Sequence, residues 1–249
     1  MATQDLAGRT ALVTGATSGI GAATAVELGR RGAHVLVAGR DSKRGGAVVD
    51  KIRSDGGKAD FVRADLRDAA SARDLAQRAT EVGGQIDVLV NNAGIGAFGP
   101  TQGFAEDTFD NLFAINVKVP FYLVSEIAPA MAGRGGGAIV NITTMAAQLG
   151  IPGMAVYGAS KAALNLMTRS WAAEFGPNGV RVNTVSPGPT RTPAVEPAIE
   201  MVEQLAAQSP NGQVATPAEI ANAVAFLVSD SASYVQGALL NVDGGRTAV

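Results

Sequence analysis

The chain has 249 residues, 47% of them hydrophobic and 17% charged, so it is long enough for one large domain and too apolar for general disorder. Its 20 Lys and Arg against 22 Asp and Glu exclude a basic face for nucleic acid, while one histidine (His34) and no cysteine exclude disulfides, thiolate catalysis and His- or Cys-based metal clusters. Because no apolar run reaches the roughly 18 residues of a membrane span and the first residues do not resemble a signal peptide, we expect a cytoplasmic protein without nucleic-acid or membrane partners.

Short runs rich in Val, Ile and Leu alternate with longer amphipathic segments along the whole chain. The runs show little polar alternation, which is typical of parallel strands covered on both faces. The predicted strands are residues 9–14, 34–38, 59–63, 86–91, 138–143, 180–186 and 239–242, and predicted crossover helices include 19–31, 71–82, 155–175 and 216–229. This order predicts an α/β fold over residues 1–249: a single-domain, Rossmann-type doubly wound parallel sheet of about seven strands with helices on both faces.

A glycine-rich turn, residues 14–21, joins the first predicted strand to the first predicted helix. Glycines there let the backbone approach a pyrophosphate, and the N–H groups at the helix start face the anion. The alternative is an ordinary glycine-rich turn. The predicted phosphate-binding residues are Gly15, Thr17, Ser18, Gly19, Ile20 and Gly21.

The second predicted strand is followed by Gly39, Arg40 and Asp41. An NAD site normally has a carboxylate at this strand end, which accepts hydrogen bonds from the ribose 2′-hydroxyl. The guanidinium of Arg40 can instead pair with a 2′-phosphate, while Asp41 better suits the N-cap of the next helix. We therefore predict that NADP(H) is preferred over NAD(H). The alternative for Arg40 is a solvated surface charge.

Polar or small residues also follow the third and fourth predicted strands. Asp65 could accept a hydrogen bond from an adenine amino group, or it could cap the helix beginning near Asp68. The run Asn91, Asn92, Ala93, Gly94 suits a backbone that lies against a cofactor ring, or a sharp turn.

Tyr157 and Lys161 lie four residues apart in the longest predicted helix and so share one helix face. A lysine cation stabilises a tyrosinate and lowers the pKa of the phenol from its usual value of about 10. Such a phenol can act as a general acid and base. Farther along, the Pro-rich stretch at about 188–213 follows the sixth predicted strand and predicts a substrate lid with a short helix near 198–208.

With these pieces in place, the sequence resembles the classical branch of the short-chain dehydrogenase/reductase family from Gly8 to Gly245. The motifs stand in the family's order: the turn 14–21, Asp65, 91–94, Asn116, Tyr157 with Lys161, 186–190 and 241–245. The resemblance implies a nicotinamide cofactor and the reversible reduction of a carbonyl to an alcohol.

The resemblance also implies residue roles. Tyr157 would protonate the carbonyl oxygen, Lys161 would hold the nicotinamide ribose, and Asn116 would anchor a water in a proton relay. Without the resemblance, Asn116 would be interpreted as a helix-surface amide. The remaining expected cofactor contacts are Leu66, Asn92, Ala93, Gly94, Pro187, Gly188, and Thr190 or Thr192.

One position departs from the family pattern. The family's catalytic serine lies thirteen positions before the tyrosine, where this chain has Thr144, preceded by Thr143. Threonine keeps the hydroxyl, but its methyl group restricts χ1 and narrows the site. We predict that Thr144 rather than Thr143 orients the substrate, because neighbouring strand residues point to opposite faces.

The sequence thus predicts an NADP(H)-dependent oxidoreductase that interconverts a secondary alcohol and a ketone or 3-oxoacyl group. The alternative is a cofactor-binding redox sensor or scaffold without turnover. An acyl-carrier substrate would need clustered Arg or Lys, and only Arg134 and Arg169 flank the region. A mostly apolar pocket is expected from Ile95, Phe98, Leu149, Met154, Val195, Ile199, Met201, Val202 and Leu205. The apolar surface of the helix with Tyr157 (Ala155, Ala159, Ala162, Ala163, Leu166 and Trp171) predicts a homotetramer.

Overall fold

A computed structural model describes residues 4–249 and contains one parallel sheet of seven strands in the order β3-β2-β1-β4-β5-β6-β7. The strands are β1 (Thr10–Thr14), β2 (His34–Gly39), β3 (Lys58–Arg63), β4 (Val88–Asn91), β5 (Gly137–Ile142), β6 (Val180–Pro187) and β7 (Leu239–Val242). The helices are α1 (Gly19–Arg30), α2 (Ser42–Ser54), α3 (Ala69–Gly83), α4 (Glu106–Phe113), α5 (Val119–Gly133), α6 (Ala155–Phe175), α7 (Ile199–Ala206) and α8 (Pro217–Val228). The predicted fold class is confirmed.

Each face of the sheet has its own hydrophobic core, because successive strand residues point to opposite sides. Val13 faces a core built with α1, α2 and α8, whereas its neighbour Leu12 faces a core built with α3, α5 and α6. Both side chains are fully buried. The non-alternating apolar strands of the sequence reflect this burial on two sides.

The predicted boundaries are wrong by one or two residues at several ends. Helix α3 begins at Ala69 rather than at residue 71, because Asp68 caps it in a reciprocal pair with Ser71. Strand β5 ends at Ile142, one residue before the predicted end, and β4 begins at Val88 rather than at residue 86.

Helices α4 and α5 form one continuous helix, Glu106–Gly133, through a π-helical turn at Ala114–Lys118. Within residues 4–249 it is the one helix that is long and apolar enough to cross a membrane by length and composition, which the sequence analysis did not find. In the fold Leu112 and Leu123 of this helix are fully buried, whereas Phe109 and Phe121 are partly exposed. Its composition is therefore that of a core helix.

The order of the strands reverses between β1 and β4, which are both central. Connections from these two strands leave in opposite directions and open a crevice at their carboxyl ends. All seven strands are parallel, so the segments after β1 to β6 begin at this same edge. The predicted site residues all follow these strand ends or lie on helices packed beside them.

Candidate functional site

The glycine-rich turn between β1 and α1 is fastened to the end of β4. The Asn92 side-chain amide donates to the carbonyls of Thr14 (2.9 Å) and Gly15 (3.2 Å), while the backbone N–H groups of Asn92 and Ala93 donate to the Thr14 hydroxyl at 3.0 Å. A Cβ atom on Gly21 would lie 2.4 Å from the Asn92 amide, and Gly15 has a φ of +63°. Only glycine fits these two positions.

The start of helix α1 is suited to an anion. Its N-cap, Ser18, makes no capping hydrogen bond with any described residue, and the first turn contains no acidic side chain. The first N–H groups of a helix have no partner within the helix, and the helix dipole favours negative charge there. The free N–H groups at the start of α1, and the space that Gly15 and Gly21 leave because they have no Cβ atom, therefore fit the pyrophosphate of a dinucleotide.

Arg40 lies exposed just past the end of β2, and within residues 4–249 it makes no ion pair. Its neighbour Asp41 accepts from the backbone N–H of Arg44 at 3.0 Å and caps α2 as predicted, which lowers the pKa of Asp41. A Cβ atom on Gly39 would lie 2.5 Å from the methyl group of Thr17. A carboxylate at position 39 therefore has no room while Thr17 keeps its rotamer.

Asp65 follows β3 and forms an ion pair with Arg67. The alternative that Asp65 caps the next helix is wrong, because Asp68 makes the capping bonds. Leu66 is half-buried against the core under α3. Both residues lie at the edge of the sheet beside Arg40.

The predicted catalytic pair lies on α6. Lys161 is 5% exposed, and its ammonium donates to the Ile142 carbonyl at 2.9 Å. Burial lowers the pKa of Lys161 from 10.5 to about 8. A Cβ atom on Gly94 would lie 3.0 Å from the Lys161 ammonium and 3.1 Å from the Asn116 side-chain oxygen. Gly94 thus leaves the space in which Lys161 and Asn116 approach β4.

Asn116 is fully buried in the π-helical turn, so its interpretation as a helix-surface amide is wrong. Its side chain accepts from the Ile95 N–H and donates to the Ile95 carbonyl, both at 2.9 Å. It also donates to the Ser160 hydroxyl at 3.1 Å. The π-helical turn directs this amide toward the space beside Lys161. Such turns are frequent at functional sites.

The two adjacent threonines after β5 have different surroundings. The hydroxyl of Thr143 is buried against the Val185 carbonyl at 3.5 Å. Thr144 is only half-buried, and its hydroxyl accepts from the Ala146 N–H at 3.3 Å. Burial raises the pKa of Tyr157, and the Thr144 side chain beside the phenol partly offsets the rise. The structure therefore brings Thr144 and Tyr157 together and keeps Thr143 in the sheet.

Phe98 packs edge-on against Tyr157, with ring centroids 5.5 Å apart and an angle of 81° between the rings. Its side chain is 56% exposed. The sequence analysis placed Phe98 in the apolar pocket but not in contact with Tyr157, because this contact joins the loop after β4 to α6. It also missed Ser160, which holds Asn116, although Ser160 lies beside Lys161 in the motif.

Residues after β6 approach the same edge. Gly188 is packed so closely on the C-terminal segment that its Cβ atom would lie 2.6 Å from the Asp243 Cα. The Thr190 hydroxyl donates to the Gly188 carbonyl at 3.0 Å, whereas the Thr192 side chain contacts Gly19 in the glycine-rich turn. Of the two threonines, Thr192 therefore lies beside the anion-binding helix start.

A known protein family and solved structures match this chain over nearly its whole length. The family model described as enoyl-(acyl carrier protein) reductase matches residues 15–247. A solved structure described as a short chain dehydrogenase/reductase family protein is 50% identical, with a TM-score of 0.92, and the match covers 98% of this chain and 100% of that one. The chain belongs to the short-chain dehydrogenase/reductase family. It is an oxidoreductase that acts on the CH–OH group of alcohols or the carbonyl group of the corresponding ketones.

Two further short-chain dehydrogenase/reductase relatives cover nearly the whole chain. The cis-4-hydroxycyclohexanecarboxylate dehydrogenase of Sinomonas cyclohexanicum is 40% identical over 97% of both chains. A solved structure from Beutenbergia cavernae, described as a putative NAD(P)-dependent gluconate 5-dehydrogenase with NADP bound at low occupancy, is 40% identical with a TM-score of 0.93, and the match covers 99% of both chains.

The buried ammonium of Lys161 predicts a pH dependence of stability in the cofactor-free enzyme. Because its pKa is about 8 when folded and near 10.5 when unfolded, the unfolded chain binds more protons between these values, and the free energy of unfolding rises with pH there. The rise amounts to at most about 3 kcal/mol. Denaturant unfolding at pH 7.5 and pH 10 should show this rise in the wild type but not in Lys161→Met.

The control is Lys118→Met, which removes an exposed lysine and should keep the rise. If the free energy of unfolding of Lys161→Met depends on pH in the same way as that of the wild type, burial does not lower the pKa of Lys161.

Proposed function

We propose that this short-chain dehydrogenase/reductase interconverts a secondary alcohol and a ketone or 3-oxoacyl group with NADP(H), using Tyr157 as the general acid and base. The observation that carries the proposal is the convergence of the Tyr157 phenol, the Thr144 hydroxyl and the buried Lys161 ammonium at the carboxyl edge of the sheet. The phenol and the hydroxyl can both bond one carbonyl oxygen, which is the geometry that carbonyl reduction needs.

In this proposal a bound nicotinamide cofactor supplies or accepts the hydride. Side chains of the protein transfer the proton and stabilise the negative charge that develops on the carbonyl oxygen. Thr144 donates a hydrogen bond to the carbonyl oxygen, and Tyr157 protonates that oxygen as negative charge develops. Lys161 stabilises the tyrosinate that remains, so that a phenol with a raised pKa becomes a usable acid. Asn116, held by Ile95 and Ser160, anchors the path by which the proton is replaced.

The proposed cofactor site runs along the carboxyl edge. The residues that would hold the pyrophosphate are Gly15, Thr17, Ser18, Gly19, Ile20 and Gly21 of the turn, together with Thr192. Arg40, Asp65 and Leu66 would hold the adenosine. The nicotinamide end would be held by residues 92–94, Pro187, Gly188 and Thr190, with Tyr157 and Lys161. Cytoplasmic location remains a prediction.

The experiment is NADPH oxidation against a panel of ketones, aldehydes and 3-oxoacyl thioesters. Turnover of at least one carbonyl compound supports the proposal. Tight NADPH binding with no turnover of any compound would support the alternative, a redox sensor or scaffold.

Arg40 should set the cofactor preference, because it lies just past the end of β2 without an ion pair among residues 4–249, and a Cβ atom at position 39 would lie 2.5 Å from the Thr17 methyl group. We expect Arg40→Leu to lower kcat/KM for NADPH by about 10- to 100-fold, since one charge-assisted pair with the 2′-phosphate is lost. The kcat/KM for NADH should change little. Steady-state kinetics with both cofactors measures the two values.

Arg44→Leu is the matched control. Its guanidinium is already paired with Asp41 at 2.8 Å, so its loss should leave the preference for NADPH in place. A wild type that prefers NADH would refute the predicted cofactor preference. An Arg40→Leu enzyme that keeps the full NADPH preference would show that another group binds the 2′-phosphate.

We also propose a homotetramer built from two apolar faces. On the first, Leu166 of α6 is 64% exposed and Phe121 of α5 is 44% exposed, beside a groove of about 680 Å³ that carries both Asp110 and Lys118. A twofold-related copy can therefore bring an apolar surface and opposite charges to the same groove. Trp171, counted toward this surface from the sequence, is buried and does not contribute.

The second face, on α8 and the segment before β7, exposes Phe226 at 40% and Tyr234 fully. Light scattering at micromolar concentration should give four times the mass of the chain. Phe121→Glu with Leu166→Glu should reduce it to a dimer, whereas Val82→Glu, at an exposed apolar position on α3, should leave the tetramer intact. A monomeric wild type would refute the assembly.

A further inference from the structure

Three segments, here called the walls, leave the carboxyl edge of the sheet at or beside Tyr157: residues 94–105 after β4, 144–154 after β5 and 188–213 after β6. The first contributes Phe98, which contacts the Tyr157 ring, and the second contributes Thr144. The first two are joined where the Gly99 N–H donates to the Gly153 carbonyl at 2.9 Å. The second reaches the end of β6, where the third begins, through a 3.1 Å hydrogen bond between the Gln148 amide and the Ser186 hydroxyl.

The charges of these walls are few and nearly all negative. The segments 94–105 and 144–154 contain no charged residue, and 188–213 contains three glutamates and one arginine, Arg191. The Arg191 guanidinium pairs with Glu203 at 2.9 Å and with Glu196 at 3.6 Å. The third glutamate, Glu200, is exposed. The one cation of the walls is therefore already neutralised.

Several cations of residues 4–249 lie outside the walls, and one of them, Arg246, donates to the Gln208 side-chain oxygen of the third wall at 3.2 Å. The Lys161 ammonium is buried against the Ile142 carbonyl. Arg134 donates to the Ile86 carbonyl at 2.8 Å, just before the amino end of β4, which is the opposite edge of the sheet. Arg169 lies two helical turns beyond Lys161 on α6 and is exposed. The clustered basic surface that an acidic acyl carrier would need does not form at the site.

We infer that the substrate of the proposed reaction is an uncharged, largely apolar alcohol or ketone, and that the walls select against carboxylates and phosphates. An anion that enters between the three segments loses part of its hydration, and the side chains of these segments offer it one arginine that is already paired and an excess of glutamates. An apolar ring instead meets Phe98, which is more than half exposed, and the apolar lid residues. This inference rests on the proposed function and narrows its substrate class.

The test compares methyl 4-hydroxycyclohexanecarboxylate with the corresponding free carboxylate, and uses cyclohexanol as the unsubstituted compound. The two substituted compounds share the ring and the reacting hydroxyl and differ in charge. With NADP⁺ at pH 8, the ester should be oxidised with a kcat/KM about tenfold or more above that of the carboxylate. Equal or better use of the carboxylate would overturn the inference.

Freeing Arg191 should relax the selection. Glu196→Gln combined with Glu203→Gln removes both partners of the guanidinium and should raise kcat/KM for the carboxylate about tenfold, with little effect on the ester. Glu200→Gln is the control, because it removes an equal charge from the lid but leaves Arg191 paired. A double variant that still discriminates like the wild type would show that the paired arginine is not the reason for selection.

Failure of the proposed function can be told apart from failure of the inference. Isothermal titration calorimetry of the ester and the carboxylate, on the Tyr157→Phe enzyme with NADP⁺ bound, measures the same selection with the chemical step blocked. Ester binding about tenfold tighter, together with no oxidation of either compound by the wild type, would support the inference and refute the proposed reaction. Oxidation of cyclohexanol by the wild type, together with equal binding of ester and carboxylate, would support the proposed reaction and refute the inference.

Discussion

Tyr157→Phe should lower kcat for carbonyl reduction by about 10²- to 10⁴-fold, the usual contribution of a positioned general acid. The substitution removes one oxygen atom and keeps the ring that packs on Phe98, so the fold and the affinity for cofactor should not change. Single-turnover kinetics with saturating NADPH measures the chemical step, and cofactor titration measures the affinity.

Tyr122→Phe is the matched control, since Tyr122 lies on α5 beneath the Arg73 guanidinium and away from the site. It should keep full activity. A Tyr157→Phe enzyme with a kcat within tenfold of the wild type would assign the proton to another group.

Thr144→Ala should lower kcat by about 10²- to 10³-fold, the usual cost of losing one donor to a developing oxyanion. Thr144→Ser should keep or raise activity, because it retains the hydroxyl and removes a methyl group that restricts χ1. Thr143→Ala should have a much smaller effect on kcat, since its hydroxyl is buried against the Val185 carbonyl. Steady-state kinetics of the three variants, with melting temperatures, compares them.

If Thr143→Ala is inactive and Thr144→Ala is active, the hydroxyl that orients the substrate belongs to Thr143, one residue before the predicted position. Because Thr143 is buried, its loss can lower the melting temperature, and kcat of the folded fraction separates this effect from catalysis.

The layered fold could be predicted because burial on both faces makes each strand a continuous apolar run. Strand and helix ends could not be predicted as well, since they depend on single contacts. Helix α3 begins at Ala69 because Asp68 and Ser71 bond reciprocally, and many polar residues near that point could have served as the cap. Asp65, which the sequence also offered as a cap, instead pairs with Arg67 at the strand end.

The catalytic helix face could be predicted because Tyr157 and Lys161 are four residues apart in one helix. The burial of Asn116 could not, because it depends on a π turn and on the space that Gly94 leaves on a different strand. The burial of Trp171 escaped prediction for a similar reason: α6 alone does not reveal which of its apolar residues face α5. Contacts between distant segments decide both cases.

The bonds that tie the turn 14–21 to Asn92 and Ala93 are formed between groups of the chain itself. Fixing one residue's backbone costs about 1–2 kcal/mol in conformational entropy. Because these bonds make the turn part of the folded sheet, that entropy is lost when the chain folds and not when a dinucleotide arrives. The dinucleotide meets a loop that is already ordered, so its association needs no slow rearrangement of that loop.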